Sequence, residues 1–546
     1  MAPFAFLGAA IAAWGSSHAS PAIWAAALVL LGAAWVQSGR IAPGLTPLAV
    51  AVWAYVSWTI LDTAFFSPVY NAAGLFDPLF LLAGFSLGRA LERTTRQCAA
   101  VLLAIAIAAL SIWSVAQLTN GLSRGQALFE TPNTLASVLN FALAPAVVLV
   151  ASGVRARGLD LLVLLLFAGL CATFSRGAAI ALAIGLTVTV LLLPGQMHWR
   201  RTARVGVLFL AGALLTAAAI ALRAWLHTQE AVEPLFPSSI GSVLSRLELY
   251  ALAWKAATEH LCCGIGYLGF RMVLETGRAL VPSYGEANIT YFVHNDYLQV
   301  LLELGAPALV ALMFIVILPF ILAPRRMPTE SQDRRTLAAV LAALATTAVH
   351  AFADFPLHVP IGLLLFGLCL GTVDRLLARH DELAGRWTNR LARLVRLVLG
   401  AGLITLLARP VAAEAAAAYA IKKWQHGEGK SAAFGFELAR RFEGRDWRYH
   451  LYAGQFWFAE AAQTGKPEAA RLAEEAFVAG VRSNPFDTAN RLGRVFNQIR
   501  FGALLAAPAS ADTLRKWADE ALALAPVHPA VRKEHAEIVR QLEAKR

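Results

Sequence analysis

Repeated apolar runs dominate this 546-residue chain and restrict what it can fold into. Runs of about 17 to 21 residues are long enough, as helices, to cross the roughly 30 Å hydrocarbon core of a bilayer. They lie at 21–37, 45–65, 76–91, 98–117, 134–152, 159–174, 177–194, 205–222, 306–323, 336–353, 357–373 and 391–409. A shorter run at 3–15 is either a further span or a signal peptide, and the lack of an early positive charge favours a span. We therefore predict an all-α, polytopic membrane protein with about 12 to 13 transmembrane helices.

The composition and the cysteine pattern exclude other classes of protein. Charged residues make up 15% of the chain, against roughly 25% in soluble proteins. Cys98, Cys171 and Cys369 lie in or beside apolar runs, and Cys262 and Cys263 are adjacent to each other. Because no CxxC or Cys/His metal spacing is present, we expect no disulfide framework, no metal site and no cofactor.

Arginine-rich loops alternate with loops that hold almost no basic residues. The arginine-rich set comprises Arg40, Arg89, Arg93, Arg96, Arg155, Arg157, Arg200, Arg201, Arg204, Arg325, Arg326, Arg334, Arg335 and the arginines from Arg375 through Arg396. The positive-inside rule places these loops in the cytoplasm. The large loop 223–305 and the chain after residue 409 are then periplasmic. The formal charge of +12 mostly reflects this bias, so we expect no nucleic-acid partner.

Residues 410–546 differ in character from the preceding transmembrane domain, residues 1–409. Their charge density is higher, and apolar residues recur with a helical period. The stretch AEEAFVAGVRSNPFD from Ala473 resembles ADEALALAPVHPA from Ala518, which predicts tetratricopeptide-like helical hairpins, although the 45-residue offset exceeds the usual 34. This domain is either a docking surface for a partner or acceptor, or a helical cap on the membrane domain.

The predicted outer connections gather polar residues from distant parts of the chain. Their members of interest are Arg124 and Asn133; Arg176; Arg246; His294, Asn295, Asp296 and Glu303; and His350, Asp354 and His358. Ionisable groups at a membrane edge are costly, so this placement predicts a functional site. Arginines at a lipid–water boundary suit a lipid-linked diphosphate, and a histidine suits deprotonation of an attacking hydroxyl. The combination indicates glycosyl transfer from a polyprenyl diphosphate.

Three segments resemble the superfamily of O-antigen ligases, O-antigen polymerases and related bacterial O-oligosaccharyltransferases. HNDYLQVLLELG matches the family pattern of His-Asn, nine residues and Gly, through His294, Asn295 and Gly305. TFSRGAAIAL resembles the family's Ser-Arg-Gly turn, and SRLELYALAWKAATEHLCCGIGYLGF resembles the segment that opens its large periplasmic loop. RGQALFETPNTLA resembles a further family stretch that ends at Asn133. The resemblance covers roughly residues 45 to 375.

The resemblance implies a GT-C-like glycosyltransferase of the bacterial inner membrane, with its active site facing the periplasm. It would act without a metal on a glycan linked to undecaprenyl diphosphate. His294 would be the catalytic base, and Arg176 and Arg246 would hold the diphosphate. Arg124, Asn133, Asn295, Asp296, Glu303 and Asp354 are possible site-lining residues. The additional helical domain departs from the ligase pattern and leaves the acceptor open.

Several functions remain open at this point. A ligase would transfer the glycan to lipid A–core, a polymerase would extend a lipid-linked glycan, and a protein O-oligosaccharyltransferase would modify a Ser or Thr. A solute transporter also fits a dozen spans, but transporters usually place polar groups at mid-membrane within inverted repeats. Here the polar groups gather at one face, which favours a glycan transferase.

Overall fold

The computed structural model describes residues 8–13, 20–37, 46–156, 158–193, 199–227, 239–284, 290–378 and 390–544, which form helices and loops without a strand. The membrane-domain helices are α1 (Pro21–Gln37), α2 (Pro47–Leu61), α3 (Ala73–Ala90), α4 (Arg93–Thr119), α5 (Pro132–Ala151), α6 (Leu159–Ala172), α7 (Arg176–Leu192), α8 (Trp199–Leu226), α9 (Ser239–Glu259), α10 (Phe270–Thr276), α11 (Asp296–Arg325), α12 (Ser331–His350), α13 (Pro360–Leu377) and α14 (Arg390–Gln425). Six helices follow: α15 (Gly429–Phe442), α16 (Trp447–Thr464), α17 (Pro467–Ser483), α18 (Thr488–Phe501), α19 (Ala511–Leu524) and α20 (Pro529–Ala544). Residues 8–13 are helical, and the rest of the run at 3–15 lies outside the described residues.

The prediction of a multi-pass helical membrane protein is confirmed. Among the described residues, seven helices are long and apolar enough to cross a bilayer: Pro47–Phe66, Arg93–Thr119, Pro132–Ala151, Arg201–Leu226, Asp296–Arg325, Pro360–Leu377 and Ala401–Gln425. Three shorter apolar helices accompany them. Helices α3 and α12, at the predicted spans 76–91 and 336–353, are mostly buried inside the bundle. The proposed domain boundary after residue 409 falls within α14, so one helix joins both parts of the chain.

Helices α3 and α13 pack backbone to backbone through paired glycines. A methyl group at Gly84 would lie 2.1 Å from the Leu364 carbonyl oxygen, and one at Gly371 would lie 2.0 Å from the Phe85 carbonyl oxygen. Each glycine has a second glycine four residues away in its own helix, in the small-xxx-small spacing that lets membrane helices approach closely. Van der Waals contact, not exclusion of water, holds such a pair together in lipid.

Helix α11 is broken at Gly305, whose φ of 76° is not helical. A break leaves backbone groups without helical partners, and in hydrocarbon they must find partners within the protein. The loop after α9 and one tryptophan supply them. The bonds run from Ile265 N to the Leu302 carbonyl (3.0 Å), from Gly266 N to the Glu303 carbonyl (3.0 Å), from Ala306 N to the Leu261 carbonyl (2.7 Å) and from the Trp58 indole to the Leu304 carbonyl (2.8 Å).

Arg445 fastens the C-terminal helices to the C-terminal end of α2. A short π-helical turn, Asp62–Phe66, follows α2. The Arg445 guanidinium donates to the carbonyls of Thr63 (3.0 Å), Ala64 and Ser67 (2.7 Å) around this turn. One side chain thus satisfies three carbonyls at the end of a membrane helix.

Two further contacts join the C-terminal helices to the connection after α2 and to the large loop. The Tyr70 hydroxyl donates to Glu443 Oε2 at 3.1 Å. The Thr276 hydroxyl donates to the Leu524 carbonyl at 3.0 Å. Because Thr276 belongs to the loop 223–305, that loop and the C-terminal helices lie at the same end of the bundle. Their tetratricopeptide-like character stays a prediction.

The glycines at the α11 break give a test of this arrangement. A methyl group at Gly264, where φ is 64°, would lie 2.2 Å from the Glu303 carbonyl carbon, and one at Gly305 would lie 2.5 Å from the Cys262 carbonyl oxygen. Gly158 has a φ of 84° with no atom within 4 Å of such a methyl group. Gly158→Ala should therefore cost only about 1–2 kcal/mol of backbone strain. Gly264→Ala and Gly305→Ala should cost roughly 1–3 kcal/mol more through overpacking.

The measurement is the thermal unfolding midpoint of each purified variant in detergent. Midpoints that fall equally in all three variants would show that the loop does not fill the break.

Candidate active site

His294 is held in a fixed backbone conformation immediately before α11. Its φ is 61°, in the left-handed region that side chains other than glycine rarely adopt. The Tyr250 hydroxyl lies 2.7 Å from the His294 carbonyl oxygen and donates to it. The Asn295 side chain caps α11 by accepting from Leu298 N at 3.1 Å. These bonds compensate a conformation that costs about 1–2 kcal/mol.

Gln299 fixes the strand-like segment that leads to His294. Its side-chain carbonyl accepts from Val293 N at 3.0 Å, and its amide donates to the Tyr291 carbonyl at 3.1 Å. Residue 299 lies at the end of the first turn of α11, so the segment 291–293 is tied directly to the helix. These bonds hold the backbone from which the His294 side chain extends.

The imidazole of His294 meets a buried carboxylate. Nδ1 of His294 lies 3.2 Å from Oδ1 of Asp354, and the histidine side chain is 21% exposed while that of Asp354 is 3% exposed. The other Asp354 oxygen, Oδ2, lies 3.7 Å from Nε2 of His350. His350 in turn contacts the Ser137 hydroxyl at 2.9 Å through Nδ1. A hydrogen bond at Nδ1 leaves Nε2 of His294 as the acceptor of a proton.

The surroundings of Asp354 favour its ionised form. Burial alone raises the pKa of this carboxyl, but the hydrogen bond from His294 and the charges of His294, His350 and Arg246 bring the pKa below its usual value. The group therefore carries a negative charge at neutral pH. A negative charge at this position stabilises a histidine that has taken up a proton.

Three arginines converge on the same place from three separate connections. Arg124 donates from Nε to the Thr173 carbonyl at 2.7 Å and from Nη2 to Asn133 Oδ1 at 3.0 Å. Burial lowers the pKa of Arg124, the Asp354 charge raises it, and the charges of Arg246 and Arg176 lower it further. Asp354, Arg246 and Arg176 thus all act electrostatically on Arg124.

Arg176 and Arg246 differ from Arg124 because their guanidinium groups are not engaged. Arg176 is the first residue of α7 and is exposed, while Arg246 is half-buried on α9. Neither makes a hydrogen bond or ion pair within the part of the chain that the structure describes. Two such cations near a third form a site for an anion.

Asp296 and Glu303, expected as possible site-lining residues, are fully buried and bonded to the chain itself. Asp296 accepts from Leu357 N at 2.8 Å and pairs with His358. Glu303 accepts from Leu268 N at 2.9 Å and from Phe270 N at 3.3 Å. Both carboxylates therefore position the loops that carry the other residues.

Backbone strain is concentrated in the connections around this cluster. The non-glycine residues with positive φ in the described chain are Ala127, Phe174, Leu268 and His294. Each lies within a few residues of Arg124, of Arg176, of the loop at the α11 break, or at His294 itself. Strained residues persist where the surroundings fix them, and they are common at active sites.

Sequence reasoning did not identify Tyr250, Ser137 or the role of His350. Tyr250 follows Arg246 by one helical turn, and this spacing was the available signal. Ser137 and His350 belong to different helices, α5 and α12, and only the fold brings them together. Among the described residues, no group of three or more His, Cys, Asp or Glu side chains is arranged to hold a metal ion.

Comparison with known proteins supports the resemblance. No curated protein matches the chain. Residues 161–313 match the family model of the O-antigen ligases, a stretch that contains Arg176, Arg246 and His294. The match thus confirms an O-antigen ligase-like region of this chain, at the segments that build the cluster.

Proposed function

We propose that this protein is an inner-membrane glycosyltransferase that moves a glycan from undecaprenyl diphosphate to an acceptor hydroxyl on the periplasmic side. One observation carries the proposal. A partly exposed histidine contacts the buried carboxylate of Asp354 at the loop end of a helical membrane bundle, and the charges of Asp354, Arg246 and Arg176 all act on Arg124. The match to the O-antigen ligase model supports a reaction of the ligase or polymerase type.

In the proposed reaction, Nε2 of His294 accepts the proton of the acceptor hydroxyl. The acceptor oxygen forms a bond to the anomeric carbon of the glycan, and the bond from that carbon to the diphosphate oxygen breaks. Undecaprenyl diphosphate leaves with the developing negative charge, which Arg176 and Arg246 stabilise with preorganised donors. Asp354 fixes the imidazole and stabilises its protonated form, as the carboxylate of a catalytic triad does.

Lipid A–core, a growing lipid-linked glycan and a protein hydroxyl all meet the chemical requirements of this acceptor. A ligase, a polymerase and a protein O-oligosaccharyltransferase therefore share the proposed donor half-reaction. A solute transporter is least favoured, because the ionisable cluster lies at one end of the bundle and contains strained, fixed backbone. The GT-C-like architecture and the periplasmic assignment of residues 410–546 are part of the proposal.

The proposed base and its carboxylate can be tested together. His294→Ala should lower the transfer rate by about 10² to 10⁴, the usual contribution of a general base. Asp354→Asn should lower kcat by a comparable factor, because an amide does not stabilise the imidazolium. The measurement is transfer from undecaprenyl-diphosphate glycan by purified protein.

His535→Ala is the matched control, since His535 also contacts a carboxylate, Asp519, at 2.7 Å but lies on the C-terminal helices. A His294→Ala variant that folds and transfers glycan at the rate of the control contradicts the assignment.

The arginine assignment predicts a requirement for guanidinium geometry. Arg176→Lys and Arg246→Lys should each reduce the single-turnover rate at saturating donor by roughly 10- to 100-fold, because an ammonium cannot bind a diphosphate in a bidentate manner. Arg441→Lys is the control, since Arg441 is exposed on α15. Lysine variants as fast as the control would separate these two residues from the diphosphate.

The proposed orientation places the C-terminal helices in the periplasm. Ser510 precedes α19 and is exposed, so Ser510→Cys in a protein without its native cysteines should react with an impermeant maleimide added to intact spheroplasts. A cysteine introduced at Arg326, in the predicted cytoplasmic set, serves as the opposite control. Labelling of Ser510→Cys only after lysis would reverse the topology and would exclude a periplasmic role for His294.

A further inference from the structure

A second cleft lies between the large loop and the C-terminal helices. Its volume is about 350 Å³, and one wall comes from the membrane domain while the other comes from the C-terminal helices. Cavities of roughly this size that lie at domain interfaces are frequent ligand sites. The cleft contains none of Arg176, Arg246 and His294 among its lining residues.

Aromatic side chains line the cleft from both walls. Tyr291 belongs to the large loop, Trp447 begins α16, and Phe486 lies in the turn between α17 and α18. Tyr291 is 41% exposed, and the Arg271 guanidinium lies 5.1 Å from its ring centre. Rings that present an apolar face beside polar groups fit a ligand with both C–H surfaces and hydroxyls.

The carboxylates of the cleft outnumber its arginines, and both arginines are already bonded to a carboxylate. Arg271 and Arg448 are its arginines, and its carboxylates are Glu275, Asp487 and Glu534. Arg271 bonds to Glu275 at 3.1 Å, and Arg448 bonds to Asp446 at 2.9 Å. No surplus positive charge is available for a diphosphate, in contrast to the arginine cluster near His294. Alternating donors and acceptors suit uncharged hydroxyl groups, which both donate and accept.

The chain connects this cleft to the proposed catalytic histidine. Tyr291 precedes His294 by three residues, a separation of at most about 11 Å along an extended backbone. The Gln299 side chain bonds to both the Tyr291 carbonyl and Val293 N, so α11 fixes the cleft wall and the approach to His294 together. A ligand in the cleft is therefore held at a set distance from the base.

We infer that this cleft binds the saccharide part of the acceptor. The inference rests on the proposed function and specifies its acceptor as a glycan-bearing molecule, with sugar rings stacked on Tyr291 and Trp447. The C-terminal helices thus supply half of an acceptor subsite, and the subsite forms only where they contact the large loop.

The test uses the purified full-length protein and a lipid-free oligosaccharide released from the surface polysaccharide of the host bacterium. Titration calorimetry should detect binding, and Tyr291→Ala and Trp447→Ala should each weaken it about tenfold. Trp447→Phe should retain most of the affinity and shows whether the alanine variant is simply misfolded. Phe434→Ala is the control, since Phe434 is an exposed aromatic that does not line the cleft.

Transfer kinetics distinguish this inference from the proposed function. The alanine variants should raise KM for the acceptor about tenfold and leave kcat unchanged, while His294→Ala should lose transfer and keep oligosaccharide binding. Unchanged acceptor KM in both alanine variants would overturn the cleft assignment alone. Binding of a Ser/Thr-rich peptide in place of the oligosaccharide would also overturn it. Oligosaccharide binding without any transfer would support the cleft and overturn the glycosyltransferase proposal.

Discussion

The break in α11 at Gly305 determines how the end of the bundle that carries the loop 223–305 is built. A helix that stops being regular at the edge of hydrocarbon exposes backbone groups, and each unsatisfied group there costs several kcal/mol. The loop that follows α9 satisfies them with its own backbone, and Glu303 reinforces the contact through two backbone amides. Since α9 carries Arg246 and Tyr250, the same bonds that repair the helix also bring these residues to His294.

The resulting cluster brings like charges together. The charges of Arg246 and Arg176 contribute to the lowered pKa of Arg124, while the charge of Asp354 opposes them. An anionic ligand would relieve that repulsion, and fixed charges of this kind need no rearrangement when negative charge develops. The positive φ of His294 and of Phe174 shows that the backbone is also held away from its preferred conformations. Backbone strain and charge repulsion therefore lower the folding stability at the place where the reaction is proposed to occur.

Apolar runs predicted most membrane helices because their length and composition reflect the bilayer, a property of the environment that every span shares. The ends of the apolar runs likewise predicted that His294, Arg176, Arg246 and Asp354 lie at the same end of the bundle. It did not reveal that Asp296 and Glu303 are buried, since a carboxylate on the first turns of a helix looks the same in sequence whether it faces a cleft or a neighbouring loop. The partners of Asp354 are His294, 60 positions away in the sequence, and His350, four positions before it. Only the packing of α11 against α12 brings His294 to Asp354.

The Arg445 bonds make the C-terminal helices an integral part of the membrane domain. A tail that made no contact with the membrane domain could be replaced without any change in that domain. Here one guanidinium completes the end of α2, and α14 runs without interruption from one part into the other. A gene fusion that removed or replaced this tail would therefore have to remodel the turn after α2 at the same time. The structural unit of this protein is larger than its apolar sequence alone, because α14 belongs to both parts and the Arg445 side chain bonds to backbone carbonyls of the membrane domain.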